Sequence, residues 1–149
     1  LFQLISYFKM FIQKEISVTV RGKGIHDITT IVNEAIKKNE VLKGICNLFI
    51  KHTSASLIIQ ENADPAVLED LNNFYDKLVP ENDQYIHSQE GPDDMPAHIR
   101  STLTNSDLNI PIKNGSLELG TWQGVYLFEH RRPNYDSDIT RKLTITIMA

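Results

Sequence analysis

Three of the chain's five histidines, His52, His87 and His98, fall within residues 52–98, together with ten carboxylates and a single lysine. Imidazole and carboxylate groups bind divalent metals and move protons near neutral pH. The stretch has a formal charge of −9, whereas residues 1–51 sum to +4 and residues 99–149 to +1. Negative charge is therefore concentrated where the histidines are. That pattern favours a metal cation and opposes an anionic substrate unless a cation intervenes.

Four motifs carry these residues. His52-Thr53-Ser54-Ala55-Ser56 follows an apolar run, so His52 leaves a strand end with three hydroxyls nearby. It could face a metal or an anionic oxygen, or it could form a turn in which Ser and Thr satisfy backbone groups. Glu61-Asn62-Ala63-Asp64-Pro65 contains a helix cap in Asp64, while Glu61 follows the apolar Ile58 and Ile59, and Asp70 lies farther along. His87 and His98 bracket Gly91-Pro92-Asp93-Asp94-Met95-Pro96-Ala97. Their separation fits neither adjacent helical turns nor a zinc finger, so a loop must bring them together. Asp93 or Asp94 could orient an imidazole through its second nitrogen, although Asp94 also competes as an N-cap. In Gly120-Thr121-Trp122-Gln123-Gly124 the glycines permit close backbone approach, and Trp122 is predicted as a core anchor. Phosphate-binding loop, dinucleotide, nucleophile-elbow and Cys-x-x-Cys motifs do not occur.

The elements that must position these groups read as follows. Alternation over Phe11–Val20 predicts a strand. Asp27 is a plausible N-cap for a helix carrying Ile28, Ile31, Val32, Ala35 and Ile36. Residues 44–50 and 56–60 are strand-like. Asp64-Pro65 starts a helix whose apolar stripe is Val67, Leu71, Phe74 and Leu78, with Asp70 at the border of that face. Residues 81–94 form a long polar loop, and Met95-Pro96 opens a short helix with Ile99 and Leu103 inward. Lys113-Asn114-Gly115 between 108–112 and 116–119 signals a hairpin. Gly124–His130 alternates, with Tyr126 and Phe128 on one face, and Leu143, Ile145 and Ile147 alternate near the end. Together these predict one α+β domain: a β-rich, sandwich-like antiparallel sheet with two or three helices.

With 149 residues, 41% hydrophobic and 23% charged, the chain can bury a core of its own. The net charge of −4 and the want of a basic aromatic patch argue against nucleic acid. The single cysteine, Cys46, lies in an apolar run, reads as a buried inert thiol and suits a reducing cytoplasm. Residues 1–9 are too short to span a bilayer, so no membrane partner is expected. They read as an extension ahead of a domain at 10–149, with an extra edge strand as the alternative.

Taken together and in this order, the four motifs resemble the YjbQ family of small proteins, often labelled secondary thiamine-phosphate synthases. The resemblance implies a jelly-roll-like fold, a homotrimer and a polar site. By position the site would include His52, Glu61, Asp70, His87 and His98, with Ser54, Ser56 and Gln123 as neighbours. It implies a transferase that joins a pyrimidine diphosphate to a thiazole phosphate. On this reading His52, His87 and His98 hold a divalent metal, zinc or magnesium. Asp70, His87 and Glu61 are catalytic; Ser54, Ser56, Arg100 and Gln123 contact a small phosphorylated substrate; Arg141 could also reach it. The loop at 130–138 is given no role. The same residues would also serve a metal-dependent hydrolase of a small molecule, or a non-catalytic trimeric binding module.

Overall fold

A computed structural model describes residues 10–132 and 137–149; the expected extension at 1–9 lies outside the described residues. Eleven elements follow one another: β1 (Phe11–Arg21), β2 (Gly24–Asp27), α1 (Thr29–Lys37), β3 (Lys43–Ile50), β4 (Ala55–Glu61), α2 (Pro65–Leu78), α3 (Asp94–Leu103), β5 (Asp107–Lys113), β6 (Ser116–Leu117), β7 (Gln123–Glu129) and β8 (Asp138–Met148). They form two antiparallel sheets, one in the order β1-β8-β3-β5-β6 and the other β2-β7-β4. This is the α+β, strand-rich architecture that the periodicities predict.

Alternation decides which sheet face is buried. In β5, Leu108, Ile110 and Ile112 point inward while Asp107, Asn109, Pro111 and Lys113 are exposed. The same rule places Cys46, Leu48 and Ile50 of β3 and Leu143, Ile145 and Ile147 of β8 in one core with Val32 and Ile36 of α1. Burial pushes the Cys46 thiol up to about 12, which makes it the inert thiol expected. The hairpin turns at Asn114 and Gly115, both at positive φ, as Asn-Gly in a two-residue hairpin requires.

Several local expectations are corrected. Ile28, not Asp27, stands at the N-cap of α1, although the Asp27 carboxylate accepts the Thr29 amide at 2.8 Å. Asp27 instead ends β2, a four-residue strand too short to show a period. Asp64 does cap α2, accepting from the Ala66 amide at 2.9 Å. Yet α2 buries no residue, and Phe74 and Leu78 of its apolar stripe are 57% and 53% exposed. Helix α3 starts one residue before Met95 and turns Ala97 and Arg100 inward, while Leu103 is exposed. Strand β7 is buried on both faces, so its alternation carries no in-and-out meaning. Trp122, predicted in the core, is 64% exposed.

Where β3 meets β8, Ile45 is paired with Met148. A Cβ on the neighbouring Gly44 would stand 2.2 Å from the Met148 carbonyl oxygen. That oxygen belongs to the backbone and cannot swing aside. Gly44→Ala is expected to cost about 3 kcal/mol, the upper part of the overpacking range, measured by urea denaturation. A loss below about 1 kcal/mol would show that this strand end yields freely.

Candidate functional site

One end of the molecule gathers four chain segments: the turn ahead of β4, the loop before α3, the start of α3 and the residues that follow β7. Their meeting point is Asp94, the first residue of α3, whose side chain is 2% exposed. One carboxylate oxygen, Oδ2, accepts a hydrogen bond from His87 Nε2 at 2.6 Å and lies 3.6 Å from His98 Nε2. Oδ1 is held by Arg131 Nη1. His98 follows Asp94 by one helical turn, which puts both side chains on the same face of α3. The rings of His87 and His98 stand 5.6 Å apart.

A ligand atom from each of His87, Asp94 and His98 falls within 4.8 Å of the other two, the only such histidine–acid group among the described residues. The shell around it is ordered. His98 Nδ1 lies 3.0 Å from the carbonyl oxygen of Thr53. A carbonyl can only accept, so Nδ1 carries a proton, and in the neutral ring Nε2 turns a lone pair toward Asp94. Two acceptors then face each other across 3.6 Å. A proton or a cation between them removes the repulsion. Two imidazoles and one carboxylate with room for further ligands suit a catalytic zinc or a similar ion. His87 is half exposed and also borders a cavity of about 500 Å³ lined by Glu81, Asp83, Gln84, Tyr85, Ser88, Gly91 and Pro92.

The other predicted site residues are placed differently. His52 accepts the Lys142 amide at Nε2 (3.0 Å) and turns Nδ1 to Arg141 at 3.4 Å, so it stands outside the His87–Asp94–His98 group. Partial burial, then the Arg141 cation, lower its pKa and favour the neutral ring. Ser54 accepts from Arg141 at 3.2 Å. Ser56 is buried, 2.8 Å from His130 Nε2 and 2.6 Å from Thr104 Oγ1. Gln123 closes its own turn by accepting the Gly120 amide. Arg100 is 1% exposed and donates to the Val79 carbonyl, with Asp76 at 3.0 Å, which ties the end of α2 to α3. Glu61, half-buried, lines a separate cavity with Asp27, Asn62, Asp64 and Tyr126. Asp70 is exposed on α2.

Three residues escaped the sequence reading, Arg131, Glu129 and His130, and a fourth, Asp94, was read both as an imidazole partner and as a cap. Of those two readings the cap fails, since Asp93 holds that position without a side-chain capping bond, and Asp94 meets the imidazole of His87. Arg131 lay in the stretch given no role, yet it pairs with Asp93 at 3.1 Å as well as with Asp94. Burial alone would raise the Asp93 pKa; the Arg132 amide and the Arg131 guanidinium outweigh it and hold it below the ordinary carboxylate value. Glu129, fully buried, grips Arg141 through two bonds of 2.6 and 2.7 Å. His130 is buried beside Phe128. Arginines within an acidic-looking region, and a charged Glu-His-Arg run at the end of an apolar strand, were the signals available for the last three.

The matching family model, described as UPF0047 protein YjbQ-like, covers residues 14–149. This chain belongs to the YjbQ/UPF0047 family. A UPF0047 protein of Synechocystis sp. is 50% identical over 85% of this chain and 87% of its own length. The YjbQ protein of Escherichia coli O157:H7 is 41% identical over 82% and 89%. Among solved structures, an uncharacterised YjbQ/UPF0047 protein from Clostridium acetobutylicum aligns with a TM-score of 0.75 at 36% identity, covering 89% of this chain and 98% of that one. A protein of unknown function from Sulfolobus solfataricus shares the fold, with a TM-score of 0.78 at 23% identity over 94% and 99%.

His130 makes a pH prediction for this YjbQ-family chain. Burial, then the Arg100 cation, drive its pKa down to about 3. The unfolded chain takes up a proton on this residue below about 6.5 and the folded chain does not. Stability is therefore present above that value and is lost as pH falls toward about 3. His130→Gln should flatten the stability–pH profile across that window in urea titrations. An unchanged slope would show that His130 is protonated without unfolding.

Proposed function

We propose that this protein is a metal-dependent enzyme acting on a small phosphorylated molecule, with His87, Asp94 and His98 as the ligands. The observation that carries the proposal is the convergence of His87, Asp94 and His98, whose ligand atoms all lie within 4.8 Å of one another, with His98 Nε2 3.6 Å from the buried carboxylate oxygen. A divalent ion such as zinc or magnesium, when bound, supplies positive charge that stabilises an anionic leaving group. This answers the objection that an acidic region repels phosphate. The cavity beside His87 has the size of a small-molecule site.

The reaction favoured is the thiamine-phosphate synthase type that the motifs imply. The thiazole nitrogen attacks the pyrimidine methylene, a C–N bond forms, the C–O bond breaks and diphosphate leaves with the electron pair. In that scheme His87 bridges the cavity and Asp94, placed to orient a substrate oxygen or shuttle a proton. Ser54 and Arg141 brace the turn that carries Thr53. Glu61 and Asp70 sit outside this cluster, so roles for them require the substrate or another copy of the chain to reach them. The alternative is a hydrolase, favoured by the open coordination that three protein ligands leave.

Self-association, as a homotrimer, belongs to the same proposal. Its support is the exposed apolar set Phe74, Leu78 and Ile86, the last fully exposed on the loop that bears His87. Sedimentation analysis should find a species near three times the 17.0 kDa chain mass. A stable monomer would count against it.

Diphosphate release should be followed with the pyrimidine diphosphate alone and with the thiazole phosphate added, each with and without Mg²⁺ or Zn²⁺. Release only when both substrates and a metal are present identifies the transferase. Release without thiazole identifies the hydrolase. His98→Ala should reduce either activity by at least the roughly 10–100-fold that loss of an outer-shell partner costs. No turnover with either substrate set, alongside tight ligand binding, would leave a binding module.

A further inference from the structure

Arg131 reaches Glu90, Asp93 and Asp94, the last stretch of the loop before α3 and the first residue of the helix. Nε donates to Asp93 Oδ2 at 3.1 Å, Nη2 donates to the Glu90 carbonyl at 2.9 Å, and Nη1 is bonded to Asp94 Oδ1. The following amide, that of Arg132, reaches the same Asp93 oxygen at 2.8 Å. The Arg131 backbone is itself anchored, its amide donating to Glu129 Oε1 at 3.0 Å. Glu129 in turn binds Arg141, which reaches Ser54, next to the Thr53 carbonyl that fixes His98. Both sides of the histidine–carboxylate group are thus braced from the end of β7.

We propose that Arg131 is a positioning residue for the metal ligands, a role that rests on the metal reading given above. It acts through Asp94 in two ways. Its charge compensates a carboxylate whose side chain is 2% exposed. Its Nη1 occupies Oδ1, leaving Oδ2 alone to face the two imidazoles. Asp94 would then offer a metal one oxygen, which suits a small zinc or cobalt ion better than calcium, whose sites take carboxylates through one or both oxygens in a larger, looser shell. A lysine cannot replace it fully, because a single ammonium lacks the planar fork that spans Asp93, Asp94 and the Glu90 carbonyl.

The test is direct titration with Co²⁺, followed by its visible absorption and by calorimetry, on the full chain and two variants. Arg131→Met should weaken cobalt binding about 10–100-fold and shift the d–d bands toward another coordination number, while Arg131→Lys recovers part of the affinity. Discrimination against Ca²⁺ should narrow in Arg131→Met. Because Arg131→Met also removes bonds that hold the loop, Asp93→Asn serves beside it: the isosteric change weakens the Arg131 clamp without touching a proposed ligand, and should give a smaller loss of the same sign. Unaltered cobalt affinity and spectrum in Arg131→Met and Asp93→Asn, with the wild-type chain binding normally, overturn this inference alone. A wild-type chain that binds no cobalt overturns the metal reading and this inference together.

Discussion

A carboxylate taken out of water costs several kcal/mol unless other groups replace its hydration. Asp94 carries that burden at the start of α3, and the organisation of the site follows from how it is met. Arg131 supplies a full opposite charge, His87 supplies a hydrogen bond, and His98 faces the remaining side of the same oxygen. Each partner comes from a different place in the chain. The loop before α3, the helix itself and the end of β7 must therefore hold their relative positions, or an acid would be left buried without compensation.

The sheets provide that rigidity. Strand β7 is central in its sheet, paired with β2 on one side and β4 on the other. Its pairing with β4 sets Ala55 opposite Glu129, which brings the His52–Ser54 turn alongside Glu129 and Arg131. Strand β8, in the other sheet, delivers Arg141 to the same place. The Glu129–Arg141 pair joins the two layers where their hydrophobic interior ends. A buried ion pair of this kind adds little net stability compared with apolar packing, but removing one partner costs about 3–5 kcal/mol. Its value here is geometric: it fixes the turn whose Thr53 carbonyl selects the His98 tautomer.

The exposed apolar residues follow a different logic. The stripe on α2 repeats with helical spacing, and from the sequence it reads as a core-facing surface. The core is already filled by α1 and the two sheets, so α2 lies outside it with Phe74 and Leu78 uncovered. Periodicity reports that a face is apolar and leaves open whether that face meets the chain's own core or another surface. Trp122 teaches the same lesson, since a large apolar side chain is left on the surface.

Much of the fold was legible because it rests on local physics. Alternation revealed β1 and β8, a continuous apolar run revealed β3, Asp64-Pro65 revealed the start of α2, and Asn114-Gly115 revealed the hairpin that holds β5, each from rules that act within a few residues. His87 and His98 were also legible as a pair that a loop must join, and Asp93 or Asp94 as the group orienting them. The partners that make them a site were not. Arg131 stands 37 positions after Asp94, and Thr53 stands 45 before His98. Only the strand order, which decides which chain ends meet, brings them together. The amino-acid sequence by itself determined the elements, the family motifs and the acidic, histidine-bearing character of one region. Tertiary structure decided which acid is buried, which cations offset it and which histidines face it, because charge compensation acts through space and carries no trace in local spacing.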